Sequence, residues 1–141
     1  MKDEPFELIK HVVKLSSNIK SESDFQYLAF VLKQVGVPFC QNFAVAKNGL
    51  YSPELDFMME HLVDNGEIVN VDQTLCVAEP IELDNRLVPY MELIGKIGRM
   101  PIQLLKVLSN MYYNGLHTKA DKLVNQVTGI NIDTKDRANS C

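Results

Sequence analysis

No apolar run in this chain approaches the roughly 20 residues of a membrane-spanning helix, so the sequence offers no candidate span. The opening residues, Met1-Lys2-Asp3-Glu4-Pro5, are too acidic for a secretory leader, and a cytoplasmic protein is the expectation. There are only three cysteines, Cys40, Cys76 and Cys141, with no close pair, so neither a disulfide framework nor a zinc motif is visible. Cys40 and Cys76 sit in apolar runs and are expected to be buried small hydrophobes. The seven glycines are scattered singly, which excludes a glycine-rich phosphate loop. No internal repeat or low-complexity tract breaks the chain.

What remains is an ordinary globular composition. Hydrophobic residues make up 46% and charged residues 23% of 141 positions, enough for one core, in one domain or one domain with a helical appendage. A formal net charge of −4 and a sequence pI near 5.3 speak against a dominant role in binding polyanions.

The stretch 48–66 organises the rest. Ser52 is a helix N-cap, Pro53 suits the first helical position, and Glu54 and Asp56 oppose the positive end of the helix dipole. Leu55, Met58, Met59 and Leu62 recur at helical spacing, and Gly66 suits a left-handed stop. Ahead of it, Phe6 to Leu15 reads as a helix. Ser21 with Asp24 resembles a capping box for a second helix carrying Phe25, Leu28, Ala29, Leu32 and Val35 and ending at Gly36. Pro38 then forces an extended exit into a short strand over 39–45. Behind the central helix, 67–71 and 74–77 flank Asp72-Gln73 as a hairpin.

Helix, helix, strand, helix, hairpin is the order of a winged helix. The expected class is α+β, mainly α: a winged-helix-like domain over 1–79, C-terminal helices over 80–129 packed on it, and a flexible tail over 130–141. Pro89 and Pro101 are expected to open two of those helices, and Thr118 with Asp121 to cap a third that stops at Gly129.

These residues resemble a family. Phe25-Gln26-Tyr27-Leu28-Ala29-Phe30-Val31-Leu32 through Gly36, with Gly49-Leu50-Tyr51-Ser52-Pro53-Glu54-Leu55 and Asp64-Asn65-Gly66-Glu67-Ile68, is similar to the YwgA-like proteins and the SocA-like (Panacea) antitoxin domains. Lys106 to Tyr113 followed by Thr118 to Val127 is similar to that family's C-terminal helix pair. Leu50 stands where the family has proline and Tyr27 where it has lysine. The resemblance implies a winged-helix fold and action through protein contacts, as antitoxin or adaptor. It carries over no catalytic residue.

The side chains point the same way. Glu60 and Asp64 lie four apart on the central helix, but two carboxylates without a third ligand make a solvated acidic face rather than a metal site. His11 lacks a second ligand and reads as a surface or packing residue, and Ser52 is used as a cap rather than a nucleophile. An enzyme, a metal and a cofactor are not expected. DNA binding through the central helix is disfavoured, because that helix carries Glu54, Asp56, Glu60 and Asp64 and no lysine or arginine. Two binding readings stay open. In the first, Met91, Ile94, Met100, Tyr112 and Tyr113 on the appended helices contact a protein partner or a second copy in a homodimer. In the alternative, a transcriptional regulator binds DNA through Lys10, Lys14, Lys96, Arg99 and Lys106.

Overall fold

A computed structural model describes residues 4–16, 19–46 and 49–132. In order they form α1 (Glu4–Leu15), α2 (Glu22–Gln34), β1 (Ala44–Ala46), β2 (Gly49–Tyr51), α3 (Pro53–Asp64), β3 (Ile68–Val71) and β4 (Thr74–Val77). A 3₁₀ helix, Asn85–Tyr90, leads into α4 (Met91–Gly98), followed by α5 (Ile102–Tyr113) and α6 (His117–Thr128). The structure is mainly helical with small antiparallel strand pairs. Asn48 and residues 133–141, which hold most of the expected tail, lie outside the described residues.

Local chemistry sets the ends of the helices around the centre. Ser21 Oγ accepts the Asp24 N–H at 3.1 Å and starts α2. Ser52 Oγ accepts the Leu55 N–H at 3.2 Å, and Pro53 opens α3. At the far end of α3, Gly66 takes φ +74°, where an L side chain would be strained. There its N–H reaches Val63 O at 3.0 Å, and that of Glu67 reaches Leu62 O at 2.9 Å, closing the helix with a Schellman pair.

The helix at the centre of the packing is α2, which meets α3, α4, α5 and β2. Phe25, Gln26, Leu28, Ala29, Phe30, Val31 and Leu32 are all buried, on more than one face of the helix. A helix whose middle turns are buried on more than one face belongs inside a fold. Helix α3 lies against one side of it and α5 against another, while α4 packs on α1 and α6 closes over α4 and α5. Phe25, Leu28, Leu32, Leu55, Met59 and Leu62 share one core with Ile94, Leu105, Leu108 and Val124. Gly98 permits the tight end of this packing: a Cβ there would sit 2.5 Å from Ser16 Cβ.

Gln26 ties α2 to the start of α3. Its side-chain amide donates to Ser52 O at 3.1 Å and accepts from Ser52 N–H at 2.9 Å. One side chain thus pairs both backbone groups of a buried residue, as a neighbouring strand would.

The sheet differs from expectation. Of the strand expected over 39–45 only the end forms, as Ala44–Ala46 paired with Gly49–Tyr51; the β3–β4 hairpin forms a separate two-stranded sheet. The cause is that 39–43 is held by side chains rather than by a ladder. Phe39 packs edge-on against Phe25 and Phe43 against Phe30, with ring centroids 6.3 and 5.3 Å apart, and the Asn42 N–H donates to Glu54 Oε1 at 3.3 Å. In the hairpin, Asp72 and Gln73 both adopt positive φ, the geometry of a type I′ turn despite the missing glycine. Two helix starts also differ. Pro89 falls inside the 3₁₀ helix. Helix α6 begins at His117 without a side-chain cap, because the buried Asp121 instead accepts the Tyr112 hydroxyl at 2.7 Å.

Leu28→Ala and Leu62→Ala should each cost about 2–5 kcal/mol in chemical denaturation, as fully buried leucines do. Gln26→Leu leaves the buried Ser52 N–H without its acceptor and should cost about 1–3 kcal/mol despite its conserved bulk.

Candidate protein-interaction surface

With Leu55, Met59 and Leu62 turned inward, α3 presents Pro53, Phe57, Glu60 and Asp64 on its opposite side. Phe57 is 69% exposed, the most exposed large apolar side chain among the described residues. Glu60 and Asp64 share its side of the helix with His61, and no lysine or arginine of the described residues forms a salt bridge with Glu22, Asp56, Glu60 or Asp64. Asp56 accepts the Tyr51 hydroxyl at 2.8 Å, and that bond holds the phenol above its ordinary pKa. Partial burial, together with the charges of Asp56, Glu60 and Asp64, pushes the Glu22 carboxyl above the usual range. Carboxylates from two helices therefore share one field.

Three of the five residues expected to form a surface on the appended helices lie inside. Ile94, Met100 and Tyr112 are 0%, 3% and 2% exposed and belong to the chain's own core. Met91 is half-buried, leaving Tyr113, at 49%, as the exposed member of that set. The physical reason is the all-round burial of α2: α3 covers one part of it, and α5 must cover more. The apolar residues Ile94, Met100 and Tyr112, expected at a partner surface, belong to that cover.

The basic residues are spread over three helices. Lys10 Nζ lies 2.9 Å from Glu7 Oε1 and 3.2 Å from Glu67 Oε1. Burial pulls its pKa down, but the two carboxylates outweigh this and hold the ammonium above its ordinary value. Lys96 donates to Thr128 O at 2.9 Å and pairs with Glu92 at 3.2 Å, and Lys106 sits 5.5 Å over the Tyr27 ring. Lys14 and Arg99 are exposed. Lys10, Lys96 and Lys106, all expected to meet phosphate, thus already have partners within the chain.

Cys40 and Cys76 are placed differently from their sequence reading. Cys40 is exposed and Cys76 half-buried, because residues 39–43 alternate and direct Phe39 and Gln41 inward instead. His11 is buried and structural. Its Nδ1 lies 2.7 Å from Glu7 O, and its Nε2 lies 3.1 Å from Glu82 O and accepts the Asp84 N–H at 3.3 Å, fastening the 82–84 segment to α1. No spacing in the sequence signals that contact, which joins residues more than seventy apart. Beside it, a cavity of about 370 Å³ is lined by Pro5, Leu8, Pro38, Gln41, Leu87 and Tyr90, among others.

Among the described residues, no group of three His, Cys, Asp or Glu could hold a metal ion, and no helix is long and apolar enough to cross a membrane. No family model, curated protein or solved structure matches the chain.

The shared field on Glu22 has a sign that can be measured. A carboxyl held above 4.5 disfavours the folded state once ionised, so stability contributed by this group falls as pH rises from 4.5 through its folded pKa. Denaturation midpoints of Glu22→Gln should therefore gain on wild type as pH rises from about 4.5 to 7, and added salt should shrink the difference.

Proposed function

We propose that this chain is a non-catalytic, cytoplasmic winged-helix-like module that acts through protein–protein contacts, as an adaptor or antitoxin-like regulator. The observation that carries the reading is the outward side of α3. In the winged-helix order this is the helix that would enter a DNA groove, and it offers an exposed phenylalanine among carboxylates where phosphates require lysine or arginine. The tip of the β3–β4 hairpin adds Asp72 and Gln73, which bring no positive charge.

The likeness to YwgA-like and SocA-like domains is supported by the order of α1, α2, β1, α3 and the hairpin. It is also supported by the pairing of Gln26 with Ser52, one from each segment on which the likeness rests. Contact with another protein is favoured over a homodimer through the appended helices, since Ile94, Met100 and Tyr112 lie inside.

A mobility-shift titration with duplex DNA at about 0.15 M salt should show no sub-micromolar complex. Salt-sensitive binding at that level, lost on Lys10→Glu with Lys14→Glu, would replace this reading with a DNA-binding regulator.

A further inference from the structure

We infer that the outward side of α3 docks a cationic segment of another protein, one that bears lysine or arginine beside an apolar side chain. The inference rests on the protein-contact reading above and names the chemistry of the partner.

Phe57 stands in water on a helix whose other side is fully used by the core, and no element of the described chain covers it. An aromatic anchor ringed by polar groups is the common centre of a protein contact. Glu60 lies three residues and Asp64 seven residues from Phe57 on the same side of the helix, and Glu22 adds a carboxylate from α2. Partial burial first, and then the charges of Asp56, Glu60 and Asp64, raise the Glu22 carboxyl, and none of these four acids has a lysine or arginine partner among the described residues.

Charge complementarity then selects among partners. A cationic segment relieves the repulsion as it buries Phe57, and an arginine can in addition lie on the ring face. A neutral segment would desolvate the carboxylates without replacing their water. An acidic one would add to the repulsion, as would a second copy seated symmetrically on the same face. Duplex nucleic acid fails for the same reason.

The test uses the full chain in the cells that make it, with Phe57 replaced by the photoreactive p-benzoylphenylalanine, and a second protein with the same replacement at Tyr113. Crosslinked segments are identified by mass spectrometry. The expected result is a crosslink from position 57 to a segment with more lysine and arginine than aspartate and glutamate. Its yield should fall about tenfold or more with Glu60→Lys and Asp64→Lys, as for close charge pairs, and hold with Glu79→Lys. All these positions are exposed, so unchanged thermal melts keep folding out of the comparison. A neutral or acidic segment, or a yield indifferent to charge reversal, overturns the inference. Crosslinks from position 113 alone overturn it while leaving the protein-contact reading intact. Crosslinks from neither position, together with tight duplex DNA binding, overturn both.

Discussion

Ser52 is wholly buried, yet each of its polar atoms has a partner, and the architecture turns on that arrangement. Its hydroxyl caps α3, its carbonyl also accepts the Asp56 N–H at 3.0 Å, and Gln26 pairs its backbone N–H and C=O from α2. A buried N–H without a partner is costly, so the start of α3 cannot drift along α2 without losing two hydrogen bonds together. Packing of leucines holds the two helices together but tolerates sliding. The amide fixes the register. With the register set, Leu55, Met59 and Leu62 meet the core, and Phe57, Glu60 and Asp64 are left on the outside.

The outward side of α3 is therefore a by-product of an inward constraint, which is why its chemistry is informative. Nothing in the fold asks for an aromatic at position 57 or for carboxylates at positions 60 and 64. Removing the repulsion felt by Glu22 would stabilise the chain, and a purely structural helix would do better with one lysine among those acids.

Much of the fold was legible in the sequence where the physics is local. The period of Phe25, Leu28, Ala29 and Leu32, the caps at Ser21 and Ser52, and the stops at Gly66 and Gly129 depend on neighbours within a few residues. The illegible parts depend on distant ones. The period of α2 suggested one apolar stripe, whereas Phe30 and Val31 are buried as well, and only the presence of α5 explains that. The inward place of Ile94, Met100 and Tyr112 is illegible for the same reason. Asp121 resembles a cap in the sequence because a partner, Tyr112, lies on another helix, and the partners of His11 are illegible because the segment it holds is far along the chain. Of the candidate site, the acidity of α3 could be read directly. The exposure of Phe57 could not, since a phenylalanine on a helix is more often buried.

The central place of α2 has a consequence for how the protein is made. Synthesis runs from the N-terminus, so α1, α2, α3 and the hairpin leave the ribosome before α5 does. During that interval the part of α2 that α5 will cover, an apolar surface, meets water. Proteins of several domains can finish each one as it emerges. Here the last third of the chain completes a core begun in the first, and the nascent protein stays exposed to unwanted association until α5 arrives.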